Sequence, residues 1–124
     1  MLSLVKIFFT AFFINLLYEL LHSPLYKTCL EAPLRKYIYL MLKAAIFDGI
    51  AIAIIYGISY AIAPSYYLDV FVIASLVFAY GWEIYSVRAG KWEYAKSMPR
   101  FLGAGLTPVV QLTATGLLSL YIVH

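Results

Sequence analysis

The chain has 124 residues, 65% of them hydrophobic and only 12% charged. A soluble domain is about half apolar and a quarter charged, so this composition excludes an ordinary soluble domain and places the chain in the membrane class, as one domain. The formal net charge of +3 gives no case for nucleic acid as a partner; the cations fall in two clusters that suit anionic lipid headgroups.

Four apolar segments follow in order: Leu2 to His22, Tyr37 to Ala63, Tyr67 to Val87 and Phe101 to Val123. Each is near the ~20 residues that span a hydrocarbon core. None alternates as a barrel strand would, and helices satisfy their backbone internally. The expectation is an all-α integral membrane fold, a bundle of four transmembrane helices arranged as two like-oriented hairpins within one domain, residues 1–124. Ser23-Pro24 ends the first helix, because the residue before proline disfavours the helical region. Pro33, Pro64 and Pro99 punctuate the next boundaries. Pro108 lies inside the fourth segment and predicts a kink. The N-terminal segment has no small-x-small cleavage site and carries Asn15, Glu19 and His22, so it reads as a retained helix. Cys29 is the single cysteine and has no partner for an intramolecular disulfide.

The first connection holds Lys27, Arg35 and Lys36, and the third holds Arg88, Lys91, Lys96 and Arg100. The second connection and the C-terminus have no basic residue. The positive-inside rule then predicts a cell (inner) membrane protein with loops 23–36 and 88–100 in the cytoplasm and both termini outside. Trp82, Tyr85, Trp92 and Tyr94 gather at the same boundary.

Polar residues inside a bilayer are costly, so each is a candidate for function, with interhelical hydrogen bonding as the competing role. Asn15, Glu19 and His22 share one face of the first helix at i, i+4, i+7. Asp48 lies within the second helix, Glu83 near the end of the third, and Gln111 within the fourth between Thr107 and Thr115. In the expected orientation Glu19, His22, Asp48, Glu83 and Gln111 fall in the cytoplasmic half.

Glu19, His22, Asp48 and Glu83 are the candidate catalytic residues. Asn15, Arg88, Lys91, Trp92, Tyr94, Arg100 and Gln111 are the candidate substrate-binding set, the cations as ligands for a phosphate. One chemistry for the four is a divalent metal held by Glu19, His22, Asp48 and Glu83, since carboxylates plus imidazole suit hard cations, manganese, iron or zinc. The di-metal bundles use two Glu-x-x-His pairs, and this chain has one, Glu19-x-x-His22. The second chemistry is metal-free proton transfer. The third role is structural.

No motif identifies a family. Length and helix count resemble those of the small multidrug transporters, whose first helix also carries an acid; here the acid lies near the helix end and the first and third connections are long. Three functions stay open: an enzyme acting on a lipid or lipid-linked substrate, a small proton-coupled transporter, and a non-catalytic subunit of a larger membrane complex. Membrane lipids are the expected partners, with a homodimer or a larger complex as the assembly.

Overall fold

The computed structural model describes residues 2–124. The elements in order are α1 (Leu2–His22), a 3-10 turn (Ser23–Leu25), the short α2 (Lys27–Leu30), α3 (Leu34–Ile62), α4 (Tyr67–Arg88), β1 (Arg100–Phe101), β2 (Ala104–Gly105) and α5 (Leu106–Val123). Among the described residues, α1, α3, α4 and α5 are long and apolar enough to cross a membrane. Leu34 enters α3 directly after Pro33, whose φ of −59° and ψ of 155° place it outside the helix as its cap. At 29 residues α3 is the longest element, about 44 Å at 1.5 Å per residue.

The long helices pack in the cyclic order α1, α3, α4, α5, with the α1–α3 contact the most extensive. Polar residues share the interior with apolar ones, and many large apolar side chains face outward. Asn15, Ser75, Ser86 and Ser119 are completely buried, whereas Phe13, Leu17, Leu21, Val77 and Tyr121 are exposed. Small and hydroxylated residues at helix–helix contacts, with large apolar residues turned outward, are compatible with membrane-spanning helices. Ser75 and Thr113 exchange a hydroxyl hydrogen bond between α4 and α5 at 2.6 Å. One apolar cluster, built on Ile7, Ala11, Ile52, Phe71 and Leu112, fills the interior. Gly116 lets α5 close on it: a Cβ there would lie 2.4 Å from Phe71 Cζ.

The fourth apolar segment begins differently from the expectation. Residues 101–105 do not join the helix. Arg100–Phe101 pairs antiparallel with Ala104–Gly105, through a two-residue turn in which Leu102 and Gly103 both have positive φ, 49° and 86°. That is the backbone of a type I′ hairpin, whose twist matches its flanking strands. Glycine at 103 therefore serves the turn. Pro108 consequently falls at the third position of α5, in the first turn, where its missing N–H breaks no intrahelical bond. The predicted kink has no basis there.

Candidate functional site

Four polar side chains from three helices meet around one amide. Asn15 Nδ2 donates to the Ala11 carbonyl on its own helix at 2.8 Å, which fixes the orientation of its amide and presents Oδ1 to α5. Gln111 must then turn its nitrogen toward Asn15. Gln111 Nε2 donates to Asn15 Oδ1 at 3.0 Å, Glu19 Oε1 at 2.7 Å and Asp48 Oδ2 at 3.1 Å. Thr115 Oγ1 reaches the same Asn15 oxygen at 3.0 Å. The carboxyl groups of Glu19 and Asp48 also lie within hydrogen-bonding reach of each other. An amide nitrogen carries two hydrogens. Gln111 Nε2 shares these two hydrogens among three acceptors.

Glu83 has a separate set of partners. Its Oε1 accepts from Tyr26 Oη at 3.1 Å, Trp92 Nε1 at 3.0 Å and Tyr94 Oη at 2.9 Å. Tyr94 Oη in turn accepts from the Gly105 backbone N–H at 2.8 Å. Glu83 is 5% exposed, and donors converging on an ionised oxygen make the stronger class of hydrogen bond. Burial, reinforced by the Glu83 carboxylate, raises the pKa of the Tyr26 hydroxyl far above the usual phenol value. Burial does the same to Tyr94, opposed in part by the Gly105 N–H. Both phenols therefore stay protonated and keep donating across the physiological range.

Tyr26, Trp92 and Tyr94 come from two loops that join into one lid. Tyr26 and Tyr94 form an isolated antiparallel bridge. Lys27 N donates to Glu93 O and Ala95 N to Leu25 O, each at 2.8 Å. The Thr28 hydroxyl accepts from Glu93 N at 2.8 Å. The Lys27–Glu93 ion pair at 3.6 Å is largely exposed and adds little; the backbone bonds and the Glu83 anchor hold the lid.

Beneath the lid lies a cavity of about 360 Å³, within the size range of small-molecule sites. Glu19, Asp48, Gln111 and Glu83 line its inner end. Phe47, Phe78 and Trp82 form an aromatic wall, with Phe47 and Trp82 stacked at 4.8 Å between centroids. Lys43 and Lys91 line it too and are exposed; the Lys91 ammonium sits 4.5 Å from the Trp82 ring centroid. Away from the lid the interior is filled by Ile7, Ile52, Phe71 and Leu112.

The structure thus brings Asn15, Glu19, Asp48 and Gln111 together, and places Glu83, Lys91 and Trp92 on the same cavity. Tyr94 stands behind Glu83 as its donor. Arg88 is exposed on the last residue of α4, and Arg100 is exposed with its guanidinium 5.6 Å from the Tyr94 ring centroid; neither lines the cavity. His22 is buried outside the cavity lining. Its Nε2 meets Thr107 Oγ1, while Nδ1 has no partner. The Thr107 hydroxyl points to Met98 Sδ at 3.4 Å, so the imidazole donates through Nε2. The four proposed metal ligands are therefore dispersed: Glu19 and Asp48 pair, Glu83 is engaged by the lid, and His22 faces Thr107. Among the described residues, no three His, Cys, Asp or Glu side chains are grouped closely enough to hold a metal ion.

Sequence reasoning missed Tyr26 and Thr28 as lid residues and Lys43, Phe47 and Phe78 as cavity lining. Tyr26 follows a proline-bearing turn and gives no local signal. Phe47 beside Asp48, and Phe78 and Trp82 at i, i+4, carry the spacing that could have marked a wall. Cys29 also lines the cavity; burial raises its thiol pKa, which keeps it in the unreactive protonated form. Comparison of the chain with known protein families, curated proteins and solved structures finds no match.

Proposed function

We propose that the chain spans a cell membrane with four helices, as two like-oriented hairpins, with loops 23–36 and 88–100 on the cytoplasmic side and both termini outside. We further infer that the cavity is the site of an enzyme that performs metal-free acid–base chemistry on a lipid or lipid-linked substrate. The observation that carries this reading is the Glu19–Asp48 pair bridged by Gln111, with Glu83 on the same cavity. Two adjacent carboxyl groups sharing one proton can release it to a substrate and recover it from the product at the same place. Gln111 and Asn15 fix the position of the pair, and Glu83, held on one oxygen by the lid, orients a polar group of the substrate.

Transport by the same acids is the second reading. A transporter needs the site to be reachable from both faces, and the packing of Phe71, Ile52 and Gly116 beyond Asn15 favours a cavity with a single mouth. This supports chemistry over passage. The test is reconstitution into vesicles of mixed phospholipids, with lipid species followed by mass spectrometry. The expected result is conversion of one lipid class, reduced at least a hundredfold in Asp48→Asn and in Glu19→Gln. Proton-driven uptake of a solute without lipid conversion would replace the enzyme reading by the transporter. Absence of both, with a second protein copurifying, would leave an accessory subunit.

A further inference from the structure

The cavity carries unmatched hydrogen-bond acceptors on its buried residues and cations on its exposed ones. Glu83 Oε1 takes all three lid donors, and no described residue donates to Oε2. Gln111 commits its nitrogen to Asn15, Glu19 and Asp48, and no described residue donates to its Oε1. Both residues are 5% exposed and both line the cavity. Neither oxygen is among the buried polar atoms without a partner, so both are open to the cavity, where a ligand group rich in N–H or O–H would meet free acceptors. Tyr26 and Trp92 bring aromatic rings to the same lining, which favour a cation. An ammonium supplies three donors and the matching charge.

The mouth has the opposite character. Lys43 on α3 and Lys91 in the lid are both exposed and both line the cavity, and they fit a phosphate. The wall between them is apolar and reaches the outer surface of the protein, since Phe78 is 38% exposed there. Leu40, Ala44 and Phe47 on α3 line it beside Phe78 and Trp82 on α4, with Phe47 stacked on both of those rings.

We propose that the occupant is an amphiphile with a zwitterionic headgroup. Its ammonium sits between Glu83 and Gln111, its phosphate at Lys43 and Lys91, and its apolar chain lies along the wall of Phe47, Phe78 and Trp82. A purely anionic headgroup would bring its charge to the carboxyl end, and a soluble zwitterion would leave the apolar wall uncovered. This assignment rests on the reading of the cavity as the substrate site, and it concerns binding, so it can be tested whether or not turnover is found.

The experiment uses the protein's own fluorescence. Trp82 and Trp92 are the chain's two tryptophans, and both line the cavity. Purified protein in detergent micelles is titrated with a phosphatidylethanolamine, a phosphatidylcholine, a phosphatidylglycerol, a long-chain alkylamine and free phosphoethanolamine. The expected result is a saturable emission change with phosphatidylethanolamine. Phosphatidylcholine, whose methyl groups replace the N–H donors, and phosphatidylglycerol should each bind at least tenfold more weakly, and so should free phosphoethanolamine. Lys91→Glu, at an exposed position, should weaken the phospholipid at least fivefold and leave the alkylamine unchanged. Glu83→Gln should weaken both, in protein whose unfolding temperature shows it folded. Equal binding of phosphatidylglycerol, or of the free headgroup, would overturn the assignment. So would indifference of the phospholipid to Lys91→Glu, a readout that survives if Glu83→Gln fails to fold. Binding as expected with no lipid conversion would sink the reaction and leave the ligand class standing.

Discussion

Glu19 and Asp48, on the two helices with the most extensive mutual contact, accept hydrogen bonds from the same nitrogen of Gln111. The amide donates to both carboxyl groups, and it ties α5 to the α1–α3 pair. Replacing it by an isosteric apolar group keeps the packing and removes the mediator. Gln111→Leu should therefore cost about 2 kcal/mol, from acceptors left without a donor. Thermal unfolding in detergent checks the sign and size. Gln111→Glu should cost more, because it adds a third carboxyl group to the cluster.

Tyr94 connects the hairpin to Glu83 through one hydroxyl, which accepts from Gly105 and donates to the carboxylate. Tyr94→Phe keeps the ring and deletes both bonds. The lid should open more often, and trypsin should cut at Lys91 and Lys96 several times faster than in the parent chain. Limited proteolysis followed by mass spectrometry reads this directly. Trp92→Phe, which removes one donor to the same oxygen, should have a smaller effect.

The lid also predicts a response to alkali. Burial raises the Tyr26 and Tyr94 phenol pKa values above the usual value near 10. A raised folded-state pKa means that the folded protein binds the proton more tightly than the unfolded chain. The corresponding stability is fully present below about pH 10 and is lost as pH rises beyond it. Tryptophan emission should stay constant up to about pH 10 and change cooperatively above it, with an earlier transition in Tyr94→Phe, whose lid begins looser.

Phe71 and Gly116 test the closed side of the cavity. With a Cβ 2.4 Å from Phe71 Cζ, Gly116→Ala forces a shift of a completely buried ring, and overpacking of this kind costs about 1–3 kcal/mol. The double variant Gly116→Ala with Phe71→Leu should recover part of that loss, giving a coupling energy between the two positions. Additive losses in a thermal melt would contradict the packing described.

The dispersal of Glu19, His22, Asp48 and Glu83 has a direct chemical consequence. Purified protein should carry no stoichiometric divalent metal by elemental analysis, and a strong chelator should leave its unfolding temperature unchanged.

Much of the architecture was legible in the sequence because it follows from long-range composition. The α1 bounds, the Pro33 boundary and the start of α4 at Tyr67 are set by apolar length and proline sterics, which a single chain reveals. Asn15 and Glu19 were legible as neighbours because helical spacing puts them on one face. Their meeting with Gln111 depends on how helices distant in sequence rotate against each other, and no local pattern records that rotation. His22 shows the limit most clearly. It shares the Asn15–Glu19 face by spacing, yet it lies at the last residue of α1, and its ring turns to Thr107 instead of the carboxyl pair. The hairpin at 100–105 was misread because Phe101, Leu102 and Ala104 are as apolar as the helix that follows. The positive φ of Leu102 is a demand of the turn that its side chain does not advertise.

The anchoring of Glu83 has a consequence for biosynthesis. A ribosome delivers α4 before Trp92, Tyr94 and Gly105 exist, so at that moment Tyr26 alone can offer the nascent acid a hydrogen bond. Glu83 would stay near the aqueous boundary until the hairpin is made, and would be drawn inward as the second tyrosine and the indole arrive. Maturation of α4 then waits on the loop that follows it, and a chain released shortly after Arg88 should be more open to proteolysis than the full chain.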